Sequence, residues 1–201
     1  GTAAAAGLVY VLYNQFSLMW TFWLPGMIGG AILLLGTMYF RNEPAAIGMR
    51  PFGAYEDEPI RRPIAIETAK IRTRVFLKQA QRTSAFWNLI GIHFWGCAGH
   101  NIILVFLIAM VEKELSIGMG LAIYITLTVV SAITRFTAPV VADRTGSKGA
   151  MGVCFALQTF PVLILLVAHE PWTFFLFAVL FGIGLGGEMT VFPIINRQYY
   201  G

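Results

Sequence analysis

Arg135 lies inside a long apolar stretch of the 201-residue sequence, eight residues before Asp143. At 1.5 Å per helical residue this places it about 12 Å from the end of a helix. It follows Tyr124, Thr128 and Ser131 at spacings that put all of these side chains on one helix face. A guanidinium binds a carboxylate through two parallel hydrogen bonds. The pattern predicts a polar path for an anion that ends at Arg135, or else an arginine that only joins two helices.

Glu188 is the second ionisable residue in an apolar stretch, nine residues before Arg197. It follows the glycine-rich sequence GIGLGG, which lets a neighbouring helix approach closely. Ionisable groups inside a membrane span cost several kcal/mol and usually serve a function. We expect Glu188 to carry a coupling proton or a counter-charge, to stay protonated, or to pair with Arg135.

A third group shares one face of a helix at relative positions i, i+3, i+4 and i+7: His93, Gly96, Cys97 and His100. Imidazole and thiolate side chains suit zinc or copper, so one interpretation is a metal site. One helix rarely supplies a complete site, however, and we predict none. The other interpretations are cavity lining, proton handling and helix packing, with His93 as a coupling group and His100 as a contact for the anion.

The composition determines which elements position these residues. The sequence is 57% hydrophobic and 12% charged, against about 25% charged residues in soluble domains. This excludes a soluble globule, a nucleic-acid binder and a disordered chain, and Cys97 and Cys154 form no disulfide framework. Five apolar stretches are long enough to span a bilayer as helices: 21–40, 85–111, 118–142, 149–168 and 172–195. We predict an all-α polytopic membrane protein, with residues 1–13 as the end of a further helix.

Basic residues predict the orientation of these spans. Residues 41–84 hold nine of the fourteen: Arg41, Arg50, Arg61, Arg62, Lys70, Arg72, Arg74, Lys78 and Arg82. With Arg144, Lys148 and Arg197, twelve lie on one side of the membrane, and Lys113 alone lies on the other. The excess indicates that residues 41–84 are cytoplasmic in a multi-pass protein of the cell (inner) membrane. Within them, residues 64–84 have near-helical spacing, which predicts a surface helix at the inner interface.

Residues 139–148, PVVADRTGSK, resemble the signature loop G-x-L-x-D-R-x-G-R-K of the major facilitator superfamily. The matching positions are Asp143, Arg144, Gly146 and Lys148. Pro139 replaces the first glycine of the motif and Ser147 its first basic residue. In that family the loop joins the second and third helices of each six-helix half, and Gly146 would permit its tight turn.

Two further stretches resemble the oxalate/formate antiporter and monocarboxylate branch of this family. RNEPAAIGMRPFG (41–53) is similar to the segment after helix six, and LKQAQRTSAFW (77–87) to the start of helix seven. The resemblance implies a fragment that runs from late helix five to helix ten. Residues 1–40 would end the N-terminal half, 41–84 would form the loop between the halves, and 85–201 would begin the C-terminal half.

The resemblance implies a secondary active transporter, not an enzyme, that moves a small organic anion by proton symport or anion exchange. The substrate would be a mono- or dicarboxylate bound by the helix-eight arginine, Arg135. One turn earlier the monocarboxylate transporters carry an acidic residue, and here that position is Ser131. The expected partners are the anion, protons or a counter-anion, and the lipid bilayer, with no cofactor and no nucleic acid. The alternatives are a membrane metal protein or enzyme that uses His93, Cys97 and His100, and an anion sensor that transports nothing.

Overall fold

The computed structural model describes residues 2–40, 44–50, 55, 59 and 65–200, and these are helical almost throughout. The α-helices are α1 (Thr2–Gln15), α2 (Leu18–Tyr39), α3 (Ile66–Ala80), α4 (Ser84–Glu114), α5 (Ile117–Thr145), α6 (Ser147–Thr159) and α7 (Pro171–Tyr200). Short 3₁₀ segments cover Pro44–Ile47 and Phe160–Leu166. No strand occurs in the described ranges, which confirms the predicted all-α class.

Five helical segments are long and apolar enough to cross a membrane. They are Leu18–Tyr39, Ser84–Glu114, Ile117–Thr145, Ser147–Leu166 and Pro171–Tyr200. Each of the five predicted stretches overlaps one of them, and the N-terminal run is helical as expected. The apolar pattern alone was sufficient to locate these helices because each reaches the length of about 20 residues that a bilayer core requires.

The chain divides into two compact units, one of residues 11–83 and one of residues 84–201 with residues 1–10. In the second unit α7 packs against α4, α5 and α6. Of the most apolar 18-residue segment of α7, 61% is buried, against 22–28% for the other three spans of this unit. The core therefore forms around α7, with Phe174, Phe177 and Phe181 almost fully buried.

Short connections make α4 to α7 alternate in direction. The Ser116 side chain accepts a hydrogen bond from the Met119 N–H at 3.2 Å and so caps the start of α5. Gly146, with a φ of 92°, is the whole connection between α5 and α6. Pro161 has no N–H to continue α6, and the chain goes on as a 3₁₀ helix to Leu166.

The signature segment is more helical than its description as a loop implies. Because α5 continues through Thr145, Asp143 and Arg144 belong to its last turn. Lys148 lies in the first turn of α6. Only Gly146 is non-helical. Its φ is positive, which interrupts the helix and is a backbone conformation that other residues rarely adopt.

The glycines of GIGLGG pack α7 closely against two neighbours. A Cβ at Gly182 would lie 2.7 Å from the Leu127 carbonyl oxygen of α5, and one at Gly186 would overlap the backbone of Ser131. A Cβ at Gly184 would lie 2.6 Å from the Cys154 carbonyl oxygen of α6. Small residues are thus required on two sides of α7, which is how membrane helices achieve close packing.

The unit of residues 11–83 contains α2 and the amphipathic helix α3. The predicted surface helix within residues 64–84 is present as α3, and all of its residues except Ala80 are exposed. Lys70 Nζ and Glu67 Oε1 form an exposed ion pair of 3.3 Å on it. Arg41, Arg61 and Arg62 lie outside the described residues. The cytoplasmic position of this segment and the domain limits at 40 and 84 stay predictions.

Candidate functional site

A buried polar cluster joins three helices around Glu188 of α7. Glu188 is 2% exposed. The amide nitrogen of Gln158, on α6, donates to Glu188 Oε2 at 2.8 Å. His100 Nδ1, on α4, lies 3.3 Å from the same oxygen. All three side chains are buried, and each has a hydrogen-bond partner within the cluster, as buried polar groups require.

Gly96 explains how Glu188 can approach α4. A Cβ at Gly96 would overlap Glu188 Oε1 and would lie 2.9 Å from the ring of Phe155. His100 is one helical turn further along the same face of α4. The face that the sequence identified on this helix is therefore turned toward α7.

His93, at the other end of that face, has different surroundings. Its ring stacks on Phe192 of α7 with centroids 4.4 Å apart and an interplanar angle of 18°. Cys97 Sγ lies 3.6 Å from His93 Nε2, while His100 faces Glu188. Within the described ranges, no three His, Cys, Asp or Glu side chains gather as ligands for a metal ion.

A cavity of about 770 Å³ borders the cluster. Its polar lining residues are Asn88, His100, Gln158 and Thr159. Most of the remaining wall is apolar and aromatic, and it includes Trp87, Trp95, Phe155 and Phe181. The cavity therefore adjoins the two partners of Glu188.

The stripe predicted on α5 is divided between buried and exposed positions. Thr128 and Ser131 are buried and Tyr124 is half-buried, whereas Arg135 is exposed. The Thr128 hydroxyl donates within its own helix, to the Tyr124 and Ile125 carbonyls at 3.1 and 3.0 Å. Ser131 Oγ is buried and has no hydrogen-bond partner among the described residues.

One of the alternatives for Glu188, a pairing with Arg135, does not occur in the structure. Glu188 faces α4 and α6, where His100 and Gln158 occupy one of its oxygens. Arg135, on α5, has no hydrogen bond or ion pair with any residue that the structure describes, and it does not line the cavity. The structure thus brings Glu188 and His100 together and leaves Arg135 apart from them.

The signature residues lie at the end of the bundle where α5 meets α6. Asp143, Arg144 and Lys148 are all exposed there. Nearby, the Ser147 hydroxyl donates to the Gln198 side chain, which ties the start of α6 to the last turn of α7. These charged groups are accessible at the same end as Arg197.

Gln158 is the residue of this site that sequence reasoning missed. It is the only amide side chain within the apolar residues 149–168. A polar side chain inside a span usually faces a partner rather than lipid. That signal could have identified Gln158, but not the residue with which it pairs.

Long apolar helices packed around a buried polar cluster define a polytopic helical membrane protein. The family model of the Major Facilitator Superfamily matches residues 1–200, and the chain belongs to this family. No curated protein and no solved structure matches the chain. The family consists of transporters rather than enzymes, so the chain is assigned to a multi-pass membrane transporter.

Proposed function

We propose that this protein is a secondary transporter of a small organic anion, a mono- or dicarboxylate, that works by proton symport or anion exchange. The observation that supports the proposal best is the isolation of Arg135. It lies within a candidate membrane span and has no partner among the described residues. A cation in a span is costly unless something neutralises it.

The surroundings of Arg135 favour a ligand over a structural pairing. An arginine that only joined two helices would be paired with an acidic group of a packed neighbour. Glu188, the buried carboxyl of α7, is instead occupied by His100 and Gln158. The unpartnered hydroxyl of Ser131, four residues before Arg135, is a second group on α5 that lacks a hydrogen bond within the described ranges.

The proposal assigns roles to the other candidate residues. Tyr124, Thr128 and Ser131 contact the anion along its path, and Glu188 and His93 are the candidate coupling groups. His100 adjoins Glu188 rather than Arg135, so it belongs with the coupling groups. The signature residues Asp143, Arg144, Gly146 and Lys148 support the motion between the two halves at the cytoplasmic face. The resemblance to the oxalate/formate and monocarboxylate branch supports a carboxylate over other anions.

Binding to purified full-length protein tests the role of Arg135. Replacing Arg135 with Ala should raise the Kd for lactate or oxalate about 30-fold or more, because losing one partner of a desolvated charge pair costs about 2–5 kcal/mol. Arg135→Lys should recover part of the affinity, since it keeps the charge and loses the two-pronged geometry. Isothermal titration calorimetry measures both constants.

Lys113→Ala is the matched control for this test. Lys113 is an exposed cation in the last turn of α4, outside the proposed path. Its replacement should leave the Kd as in the wild type. If Arg135→Ala bound both carboxylates with wild-type affinity, Arg135 would not be the anion-binding residue.

A further inference from the structure

We infer that His100 and Glu188 form a proton-binding pair that Gln158 orients, on a side of the bundle separate from Arg135. The inference rests on the proposed function, because it assigns the coupling proton of that transporter to one pair of side chains. It assigns the anion and the coupling proton to two distinct sites. Three observations support it: the burial of Glu188, the identity of its hydrogen-bond partners and the adjoining cavity.

The burial of Glu188 requires that its charge be compensated. Taking a carboxylate out of water costs several kcal/mol unless hydrogen bonds and a partner charge offset it. Glu188 is 2% exposed, and both partners meet its Oε2 atom. When Glu188 is anionic, its Oε2 accepts two hydrogen bonds. One comes from the amide N–H of Gln158, and the other comes from the Nδ1–H of a neutral His100. The pair then carries one negative charge.

Uptake of one proton removes that charge without moving a heavy atom far. A proton from the cavity side binds His100 Nε2, and the proton on Nδ1 passes to Glu188 Oε2. His100 ends as the neutral tautomer that carries its hydrogen on Nε2, and Glu188 ends as a neutral carboxylic acid. One N–H bond and one O–H bond form, one N–H bond breaks, and the net charge of the pair changes from minus one to zero.

The donor set favours a proton over a metal cation such as sodium. Hard cations bind through several converging oxygen atoms. Both groups that reach Glu188 Oε2 are nitrogen atoms, from an imidazole and an amide. These groups complement a carboxylate or a carboxylic acid.

The cavity gives protons a route to the pair. His100 and Gln158 both belong to its lining, together with Gly96, whose missing side chain leaves room for the carboxyl of Glu188. The volume of about 770 Å³ has room for water, and Asn88, His100, Gln158 and Thr159 supply polar partners for it. His100 therefore contacts both the cavity and the buried carboxyl, as a proton relay must.

In the part of the chain that the structure describes, two thiols are the other titratable groups beside Glu188. Cys154 Sγ of α6 lies against Gly187, the neighbour of Glu188, and Cys97 of α4 follows Gly96, which faces the Glu188 carboxyl. His93 stacks on Phe192 and does not reach the carboxyl. Within the described ranges, no charged side chain of α5 forms an ion pair with Glu188. His100 is thus the group positioned to exchange a proton with it.

Infrared difference spectroscopy on substrate-free, full-length protein tests the pair without any transport assay. Acidification from about pH 10 to about pH 4 should produce the C=O stretch of a buried carboxylic acid. This band should vanish in Glu188→Gln, which keeps the side-chain size. In His100→Gln the pH at which half of this band has appeared (its midpoint) should shift by about one pH unit or more. The variant lacks the imidazole whose hydrogen bond to Glu188 differs between the charged and neutral states of the pair.

His169→Gln is the matched control, because His169 is exposed and lies 3.1 Å from Glu114 rather than near Glu188. Its band and midpoint should equal those of the wild type. A wild-type protein without a Glu188-dependent band would overturn the inference, and so would an unchanged midpoint in His100→Gln. If Glu188→Gln does not fold, the midpoint in His100→Gln still decides the question.

Transport in proteoliposomes separates this inference from the proposed function. Glu188→Gln should exchange labelled lactate for unlabelled lactate but should lose the acceleration by an inward proton gradient. Proton-driven accumulation at the wild-type rate would contradict the pair. If the wild type moved no carboxylate at all, the proposed function would fail. The infrared experiment would still test the His100–Glu188 pair, because it does not depend on transport.

Discussion

Two neighbouring hydroxyl groups on α5 differ in how they are satisfied, and the difference bears on function. Thr128 donates to carbonyls of its own helix, at 3.0 Å to Ile125. Ser131, almost one turn later, is 3% exposed and has no partner in the described part of the chain. A buried hydroxyl without a hydrogen bond is costly and requires an explanation. The proposed path supplies one, since an anion bound near Arg135 can accept from Ser131.

Replacing Ser131 with Ala should therefore separate stability from binding. The thermal unfolding midpoint should stay the same or rise, because an unsatisfied polar group is removed. The Kd for lactate or oxalate should rise about tenfold or more, since a hydrogen bond to a charged group contributes about 1.5–3 kcal/mol. Thr126→Val is the control, because Thr126 lies outside the predicted stripe and its hydroxyl donates to the Ala122 carbonyl at 2.9 Å. It should leave binding unchanged. Wild-type affinity in Ser131→Ala would remove Ser131 from the path.

Some of these residues could be identified from the sequence and others could not, for a physical reason. Arg135, Glu188 and His100 were found because ionisable groups are rare and costly in apolar stretches. Their partners were not, because a pairing between α4, α6 and α7 depends on how the helices rotate against each other. One expected alternative, a pairing of Glu188 with Arg135, does not occur for that reason, and Gln158 escaped notice.

The packing of α7 shows the same limit for whole helices. The glycine run predicted the close approach of another helix, and the structure adds that two helices approach, α5 at Gly182 and Gly186 and α6 at Gly184. The 3₁₀ segment Phe160–Leu166 was not predicted, although Pro161 within it explains the change of helix type. Hydrophobic patterns locate helices well, but they do not show which face meets which neighbour.

Adding a methyl group at Gly186 should destabilise the bundle. A Cβ there would overlap the Ser131 backbone, which cannot rotate away as a flexible side chain can. Overpacking of this kind costs about 1–3 kcal/mol. Gly186→Ala should lower the thermal unfolding midpoint in detergent by several degrees, measured by intrinsic tryptophan fluorescence.

Gly152→Ala on α6 is the matched control, because nothing lies within 4 Å of the position of its Cβ apart from its chain neighbours and the backbone of its own helix. Alanine favours helix more than glycine does, so this variant should be at least as stable as the wild type. Equal midpoints for the two variants would show that α5 and α7 are not in such close contact.

The basic residues predict the orientation of the molecule in the membrane, and α3 provides a way to test it. We propose that α3 and the rest of residues 41–84 lie in the cytoplasm, from the excess of twelve basic residues over one. In a cysteine-free background, Thr73→Cys on α3 should resist an impermeant maleimide added to intact cells. Ser116→Cys, in the turn between α4 and α5, should react. The reverse labelling pattern would invert the topology.

Transport of a carboxylate is the central claim, and counterflow in proteoliposomes measures it most directly. Full-length protein is reconstituted with unlabelled lactate inside, and the uptake of labelled lactate is compared with that of labelled lactamide, which has a similar shape but no charge. We predict saturable lactate uptake that Arg135→Ala abolishes and no protein-dependent lactamide uptake, with labelled oxalate as the dicarboxylate test. Equal transport of lactate and lactamide, or protein-dependent uptake of neither lactate nor oxalate, would contradict the account.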